Sequence, residues 1–254
     1  GRLSQQSRQD LQRFAGQDRG QLDQRNLDQA RQNLRSNWGD RQNAAQNIRN
    51  NLNRDGFDRR NLFNDNFWGL HHYDPYYRLN SGNLWRAATW AGVNGWLGYG
   101  WSDPYYYDSG YPVTVSQGSG TEYITQDDTP VQNAPPVQQP PASTDNWMPL
   151  GVFALSSNQN ASADPTMFLQ LVLGKDGTIA GSYYNSSTDQ VYPITGVVDQ
   201  ATQKAVWKNT PEEGAPIFQT GIYNLTKDAS TVSVTYSDGS IQDWFLVRIK
   251  DTGG

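Results

Sequence analysis

Residues 177–207 read GTIAGSYYNSSTDQVYPITGVVDQATQKAVW, and this stretch decides the fold. Within it, β-branched and aromatic residues alternate with polar ones, as in strands that bury one face. Turn-forming residues interrupt the alternation at NSSTDQ and DQATQ, and a KDG turn precedes it. The stretch therefore predicts three neighbouring strands of an antiparallel sheet.

The same pattern extends on both sides and defines a predicted β-domain over residues 147–251. Lys175-Asp176-Gly177 and Ser237-Asp238-Gly239 are Asp-Gly hairpin signals. Eight strands are predicted, roughly over 149–157, 166–174, 177–185, 190–198, 203–209, 216–224, 231–237 and 240–250. Eight strands joined by short hairpins favour a mainly β fold with a closed antiparallel up-and-down barrel, because closure leaves no sheet edge. A β-sandwich of similar size is the alternative.

The chain upstream of this domain begins with a polar tail, residues 1–66, rich in Arg, Gln, Asn and Asp. Thin apolar stripes at helical spacing predict partial helix; they comprise Leu27, Ala30, Leu34 and Trp38, then Ala44 or Ala45, Ile48 and Leu52. Such stripes bury too little apolar area to offset the entropy of ordering the chain. We therefore expect the tail to be disordered unless a partner orders it.

Residues 67–111 form a Trp/Tyr/Gly-rich segment, with tryptophans at Trp85, Trp90, Trp96 and Trp101. So many tryptophans in a short span favour a short helix that docks on the barrel or on a neighbour. A membrane-surface anchor is the alternative, but Arg86 and the glycines argue against a continuous interfacial face.

A linker follows over residues 112–146, and its composition passes from Gly/Ser to Pro/Gln. Paired prolines predict an extended spacer. Within it, PVTVS and TEYIT have strand character and no evident strand partner of their own, so either is a candidate donor strand for the edge of another subunit.

Charge divides the chain into two complementary parts. The first 100 residues carry 14 Arg and 9 Asp without Lys or Glu, whereas residues 101–254 carry 6 Lys plus Arg and 16 Asp plus Glu. Because Asp nearly balances Arg in the tail, we do not expect nucleic-acid binding. The sequence contains no run of about eighteen apolar residues, so no transmembrane helix is predicted. A chain with no cysteine has no thiol chemistry and fits a location outside the reducing cytosol.

The sequence contains no motif of a known catalytic or metal site, so neither catalysis nor a metal or other cofactor is expected. His71 and His72 are adjacent, a spacing that rarely serves one metal ion. Glu212-Glu213 lies in a polar loop and is interpreted as a solvated turn. Three N-x-S/T sequons, at Asn160, Asn185 and Asn224, are possible glycosylation sites at strand ends or loops.

Six short motifs in order characterise the β-domain: Gly151-Val-Phe153, GTIAGSYY, YPITG, AVWKN, IFQTGIY and WFLVR. Together they resemble the avidin-type barrel of the calycin superfamily, which also includes lipocalins. In that superfamily a first-strand G-x-W lies beneath an Arg or Lys of the last strand and closes one end of the barrel. The resemblance implies this role for Gly151, Phe153 and Arg248, with Phe in place of Trp. A guanidinium over an aromatic ring contributes roughly 0.5–2 kcal/mol.

The same resemblance implies barrel-lining aromatic residues at Tyr183, Trp207, Tyr236 and Trp244. They are candidate contacts for an apolar or glycan ligand, or else they simply fill the interior of a small barrel. Biotin binding is not expected, since Leu155 replaces the family's first-strand Asn, and the acidic residue after the last-strand Trp has no clear equivalent.

The whole chain also resembles secreted bacterial surface proteins loosely labelled protocadherin-like. The first hypothesis is accordingly a non-catalytic, secreted structural subunit of a filament or surface assembly, in which the N-terminal segment and linker contact neighbouring barrels. Its partners would be copies of itself, with cell-surface glycans as further candidates. The second hypothesis is a secreted ligand-binding barrel, and a third is adhesion to the cell envelope through the basic tail.

Overall fold

The computed structural model describes residues 5–16, 42–52, 61–108, 111–118, 121–124, 146–157, 165–210 and 214–250. The helices are α1 Gln5–Gly16, α2 over 42–52, α3 Asp65–Leu70, α4 Ser81–Leu84, α5 Trp90–Leu97 and a 3-10 turn Asn224–Thr226. Three strands precede the β-domain: β1 Tyr105–Asp108, β2 Tyr111–Gly118 and β3 Thr121–Ile124. The β-domain has eight: β4 Trp147–Ser156, β5 Met167–Gly174, β6 Thr178–Asn185, β7 Gln190–Val198, β8 Lys204–Asn209, β9 Ile217–Gly221, β10 Ala229–Thr235 and β11 Ile241–Ile249.

Strands β4 to β11 form a closed barrel in which every neighbouring pair is antiparallel. The predicted eight-stranded up-and-down barrel is confirmed, and the β-sandwich alternative is wrong. Strand boundaries agree to within a few residues, except that β9 ends at Gly221 instead of continuing to 224. There the chain bends into the 3-10 turn, whose Lys227 N–H donates to Asn224 O. The closed sheet is compatible with a calycin-like barrel.

The pleat of each barrel strand sends alternate side chains into one interior. Leu169 on β5 is paired with Tyr183 on β6, and Tyr183 is paired with Tyr192 on β7. Trp207 on β8 is paired with Phe218 on β9, and these two rings stack with centroids 5.8 Å apart. The interior is therefore lined mainly by apolar and aromatic side chains.

One end of the barrel, at the start of β4, is covered by helix α5; we call it the capped end. Trp90, Val93 and Leu97 of α5 belong to the interior apolar cluster. The Trp96 Nε1 donates to Leu173 O at 3.0 Å, and the Trp101 Nε1 donates to Gln200 O at 2.7 Å. Three of the four predicted docking tryptophans thus contact the capped end of the barrel of their own chain.

The outer wall of the barrel is also apolar. The described parts of residues 5–108, which we call the N-terminal segment, cover it in three places. Helix α2, α3 and the partly buried Trp85 pack on the outward residues Val152, Ala154, Phe168, Phe245 and Val247. Helix α1 packs Leu11 and Ala15 on Val197 and Val206. Tyr77 and Leu79 pack on Val172 and Ala180.

These contacts explain why α1 and α2 are helical although their apolar stripes are thin. The barrel wall supplies the apolar surface that the tail lacks, so the partner that orders these two helices belongs to the same chain. Arg8 of α1 also donates to the Asp176 carboxylate at 2.7 Å. The predicted stripe at Leu27, Ala30, Leu34 and Trp38 lies outside the described residues.

The linker contains a sheet of its own, which corrects the expectation that its strand-like segments lack a partner. Strands β1, β2 and β3 pair in that order, with Tyr106 opposite Val113 and Ser116 opposite Tyr123. Only Ser119-Gly120 separates β2 from β3, a connection short enough for a tight hairpin. PVTVS and TEYIT are therefore neighbours in one antiparallel sheet.

Arg248 on the last strand joins three parts of the capped end. Its guanidinium donates to Leu150 O at 2.8 Å and to Leu225 O at 2.6 Å, and it lies 4.6 Å from the centroid of the Phe153 ring. Burial lowers its pKa to about 10, so the group is still charged at neutral pH. Gly151 has a φ of +132°, and a Cβ there would lie 2.0 Å from Arg248 Nη1.

We expect Gly151→Ala to lower the free energy of unfolding by about 2–4 kcal/mol, because Ala would be strained at this φ and would displace the guanidinium. The matched control is Gly69→Ala in α3, where a Cβ would meet nothing within 4 Å. That change should leave stability unchanged or raise it by up to about 1 kcal/mol. Urea unfolding of both variants measures the difference, and equal effects would contradict the role of Gly151.

Candidate functional site

The end of the barrel opposite α5, which we call the rim end, carries half-buried aromatic side chains. It is formed where β4, β6, β8 and β10 finish. Four partly buried apolar residues pack on the core at this end, and we call them the aromatic rim: Met167, Tyr192, Tyr236 and Trp244. Of the predicted ligand contacts, Tyr236 and Trp244 lie in the rim, whereas Tyr183 and Trp207 lie below it among the buried core residues.

Strand register brings these aromatic residues together around one inner surface. Tyr183 and Tyr192 are direct cross-strand partners with ring centroids 6.2 Å apart. Trp244 is opposite Val232 on β10, and its ring meets Phe218 edge-to-face at 6.5 Å. Phe218 in turn stacks on Trp207. The four predicted aromatic residues thus face the same half of the barrel interior.

Gln242, at the start of β11, orients two members of the rim. Its Oε1 accepts a hydrogen bond from Trp244 Nε1 at 3.1 Å, and it lies 3.4 Å from the Tyr236 hydroxyl. Burial, with a smaller contribution from Asp238, raises the pKa of Tyr236. At neutral pH the Tyr236 phenol is therefore uncharged, and the rim offers aromatic faces and polar but neutral groups.

Beneath the rim, two buried polar atoms have no hydrogen-bond partner: Trp207 Nε1 and Asn209 Oδ1. Trp207 is 0% exposed and Asn209 is 6% exposed. The two residues occupy consecutive inward positions of β8, because Trp207 is paired with Phe218 and Asn209 with the inward Ile194. Leaving such an atom unpaired costs about 1–3 kcal/mol. The rim end therefore contains an unpaired donor and an unpaired acceptor on one wall.

The sequons occupy different environments. Asn224 is 0% exposed, and its amide is fully used: Nδ2 donates to Tyr107 O at 2.7 Å, and Oδ1 accepts from Tyr107 N at 2.9 Å. A glycan on this nitrogen would require the β1 contact to open. Asn185 is partly buried at the rim end, and its Oδ1 accepts from Ser187 N. Asn160 lies outside the described residues.

A concavity of about 890 Å³ lies outside the barrel between α3 and the β6–β7 turn. His71 lies at its base, where its Nδ1 is 2.8 Å from Phe67 O and its Nε2 is 3.1 Å from Asp189 Oδ1. The hydrogen bond from His71, followed by that from Tyr184, lowers the pKa of Asp189. Both ring nitrogens are thus engaged in joining α3 to the barrel, and neither is available to a ligand.

Within the ranges described above, no group of three or more His, Asp or Glu side chains could hold a metal ion. Among the same residues, no helix is long and apolar enough to cross a membrane. Three residues of the rim end were not among the predicted site residues: Tyr192, Asn209 and Gln242. Each could have been found from strand alternation, because Asn209 lies two positions after Trp207 and Gln242 lies two before Trp244.

Comparison with known proteins gives no match: no family model, no curated protein and no solved structure corresponds to this chain. The site must therefore be interpreted from its own geometry.

Two buried asparagines allow a test of whether the unpaired Asn209 amide lowers the stability of the protein. Asn209→Leu should raise the free energy of unfolding by about 1 kcal/mol, since it removes an unpaired buried polar group at nearly constant volume. Asn224→Leu should lower it by about 2–5 kcal/mol, because it removes both buried hydrogen bonds to the Tyr107 backbone. Urea unfolding measures both. If Asn209→Leu also destabilised the protein strongly, its amide would have a structural partner.

Proposed function

We propose that this protein is a non-catalytic binding protein, and that its barrel takes up a small, largely planar ligand at the rim end. The proposal rests on two buried polar atoms without hydrogen-bond partners, Trp207 Nε1 and Asn209 Oδ1, which lie beneath partly buried aromatic side chains. Pockets that bind small molecules combine mostly apolar walls with a few placed polar groups. The rim end has this composition.

The alternative, that these residues only fill the barrel, explains the aromatic rings but not the polar atoms. A core that needed only volume at the position of Asn209 would be more stable with an apolar side chain of the same size. The buried Asn224 amide at the capped end is fully hydrogen-bonded. Other unpaired buried atoms among the described residues, Arg49 Nε, Gln170 Oε1 and Thr195 Oγ1, lie outside the barrel interior, so only Trp207 Nε1 and Asn209 Oδ1 face it. The unpaired atoms at the rim end are therefore best explained by a partner that comes from outside the chain.

The difference between the two ends of the barrel favours entry of a ligand from the rim end. At the capped end, Trp90, Val93 and Leu97 of α5 close the core, and Arg248 bonds the surrounding carbonyl oxygens. At the rim end, Tyr192 and Trp244 remain partly exposed. The resemblance to calycin barrels agrees with a ligand entering at such an end, and Leu155, fully buried in the interior, leaves the expectation against biotin in place.

N-Phenyl-1-naphthylamine is a suitable neutral probe, because its fluorescence rises in an apolar site. We expect saturable binding with quenching of tryptophan fluorescence, and about a tenfold weaker affinity in Trp244→Ala, which removes an aromatic wall of the rim. Ile241→Ala, a change at a residue that is 66% exposed, is the control and should bind like the unmodified protein. Absence of saturable binding, or equal affinity in both variants, would refute binding at the rim end.

A structural subunit of an extracellular assembly is the second candidate function, and strand β3 is the observation that favours it. Among the described residues β3 pairs only with β2, so its other side is a sheet edge. A sheet edge can accept a strand from another copy. Under this proposal the protein is secreted, in agreement with a chain that has no cysteine, and it associates with copies of itself or with cell-surface glycans.

Negative-stain electron microscopy and light scattering of the purified full chain test this second function. Filaments or rings should appear, and they should be lost when residues 121–124 are replaced by Gly-Ser-Gly-Ser, because the exchange removes the edge strand. The control replaces residues 237–240 of the β10–β11 turn by the same tetrapeptide, which leaves β3 intact. A monomer at all concentrations would exclude assembly through this edge.

A further inference from the structure

We infer that the ligand of the rim end is an uncharged fused aromatic lactam, a planar ring system with a carbonyl oxygen beside a ring N–H. The inference rests on the proposed binding function and names the chemical class that the site would select. It follows from the hydrogen-bonding capacity of Asn209 and Trp207, from the absence of charge on the inner wall, and from the shape of the aromatic rim.

The Asn209 side chain presents a complete, unused amide. Its buried Oδ1 has no hydrogen-bond partner, and its Nδ2 lies beside it on the same planar group. A primary amide carries an acceptor and two donors in one plane. The group that satisfies an acceptor and a neighbouring donor together is another amide edge, with its N–H directed at Oδ1 and its carbonyl oxygen at Nδ2.

Trp207 adds one further donor at the next inward position of β8. Other tryptophans of this chain have acceptors: Trp96 donates to Leu173 O, Trp101 to Gln200 O and Trp244 to Gln242 Oε1. The Trp207 Nε1–H has none, although its residue is fully buried. Because a carbonyl oxygen has two lone pairs, the lactam oxygen that meets Asn209 Nδ2 can also accept from Trp207.

The inner wall at the rim end selects against charged ligands. In the described strands, the inward positions of this half are apolar, aromatic or amide-bearing, and none of them is Asp, Glu, Lys or Arg. A charged ligand would lose its hydration without meeting an opposite charge. The ligand is therefore neutral.

The aromatic rim favours a flat ligand of two fused rings. Tyr192 and Trp244 lie on opposite sides of the inner surface, on β7 and β11, and both are partly exposed. Offset stacking and edge-to-face contacts with such side chains contribute about 0.5–1.5 kcal/mol each beyond the area they bury. A fused lactam places its ring faces against these side chains and its polar edge toward β8.

Three probes separate the hydrogen bonds from the apolar contacts: 2-quinolone, its N-methyl derivative, which lacks the N–H donor, and naphthalene, which lacks both polar groups. Each is titrated against the complex of the full chain with N-phenyl-1-naphthylamine. We expect 2-quinolone to displace the dye at a concentration about tenfold lower than either analogue, since a site built for a donor disfavours a ligand without it. In Asn209→Leu the three probes should become equivalent to within about twofold. Ile241→Ala should retain the preference.

The outcomes distinguish this inference from the proposed function. If the dye binds but naphthalene and 2-quinolone displace it equally in the unmodified protein, the barrel binds ligands and the lactam assignment is wrong. If the preference for 2-quinolone survives Asn209→Leu, the assignment to Asn209 is wrong. If the dye does not bind at all, both proposals fail.

Trp207→Phe adds an independent check. We expect the affinity for 2-quinolone to fall five- to tenfold and the affinity for naphthalene to change little. Thermal unfolding of each variant shows that it is folded.

Discussion

The hydrogen bonds of Arg248 connect segments of the capped end that are far apart in sequence. Its guanidinium reaches the carbonyl of Leu150 on the first barrel strand and those of Leu225 and Lys227 between β9 and β10. A buried guanidinium must have such partners, because an unpaired buried charge costs several kcal/mol. Gly151 leaves the space that the guanidinium occupies. The seam between β4 and β11 is thus held at one end by polar bonds, while mainly apolar side chains line the remaining interior.

This arrangement makes the two ends of the barrel chemically different. At the capped end, polar groups such as Arg248, Asn224 and the indole of Trp96 find partners within the chain. At the rim end, Trp207 and Asn209 do not. Three other buried atoms, Arg49 Nε, Gln170 Oε1 and Thr195 Oγ1, also lack partners, but they lie outside the barrel interior. Within the interior, the unpaired atoms lie at the rim end, where a ligand could offset their cost in stability. The asymmetry is therefore the link between the fold and the proposed function.

The barrel and its aromatic interior could be predicted from the sequence because period-two alternation reports directly on which side chains face inward. Residues 177–207 showed this for β6 to β8, and inward positions such as Tyr183 and Trp207 followed. The position of the N-terminal segment could not be predicted, since thin stripes such as Ile48 and Leu52 do not indicate which surface they cover. The pairing of β2 with β3 depends on a hairpin that composition had marked as linker. Strand alternation places Asn209 on the inner wall two positions after Trp207, but no sequence pattern reports that its Oδ1 lacks a partner.

The covered outer wall changes the interpretation of the charge asymmetry between the two parts of the chain. That asymmetry suggested contacts between molecules, yet Arg8 meets Asp176 and Arg49 meets Asp228 O within one chain. Exposed ion pairs contribute little, about 0–1 kcal/mol, so the burial of Leu11, Ile48 and Phe67 against the wall must supply most of the stabilisation. Without this cover the apolar outer wall would form an exposed patch of the kind that promotes aggregation. Any assembly would then have to use surfaces that this cover leaves accessible.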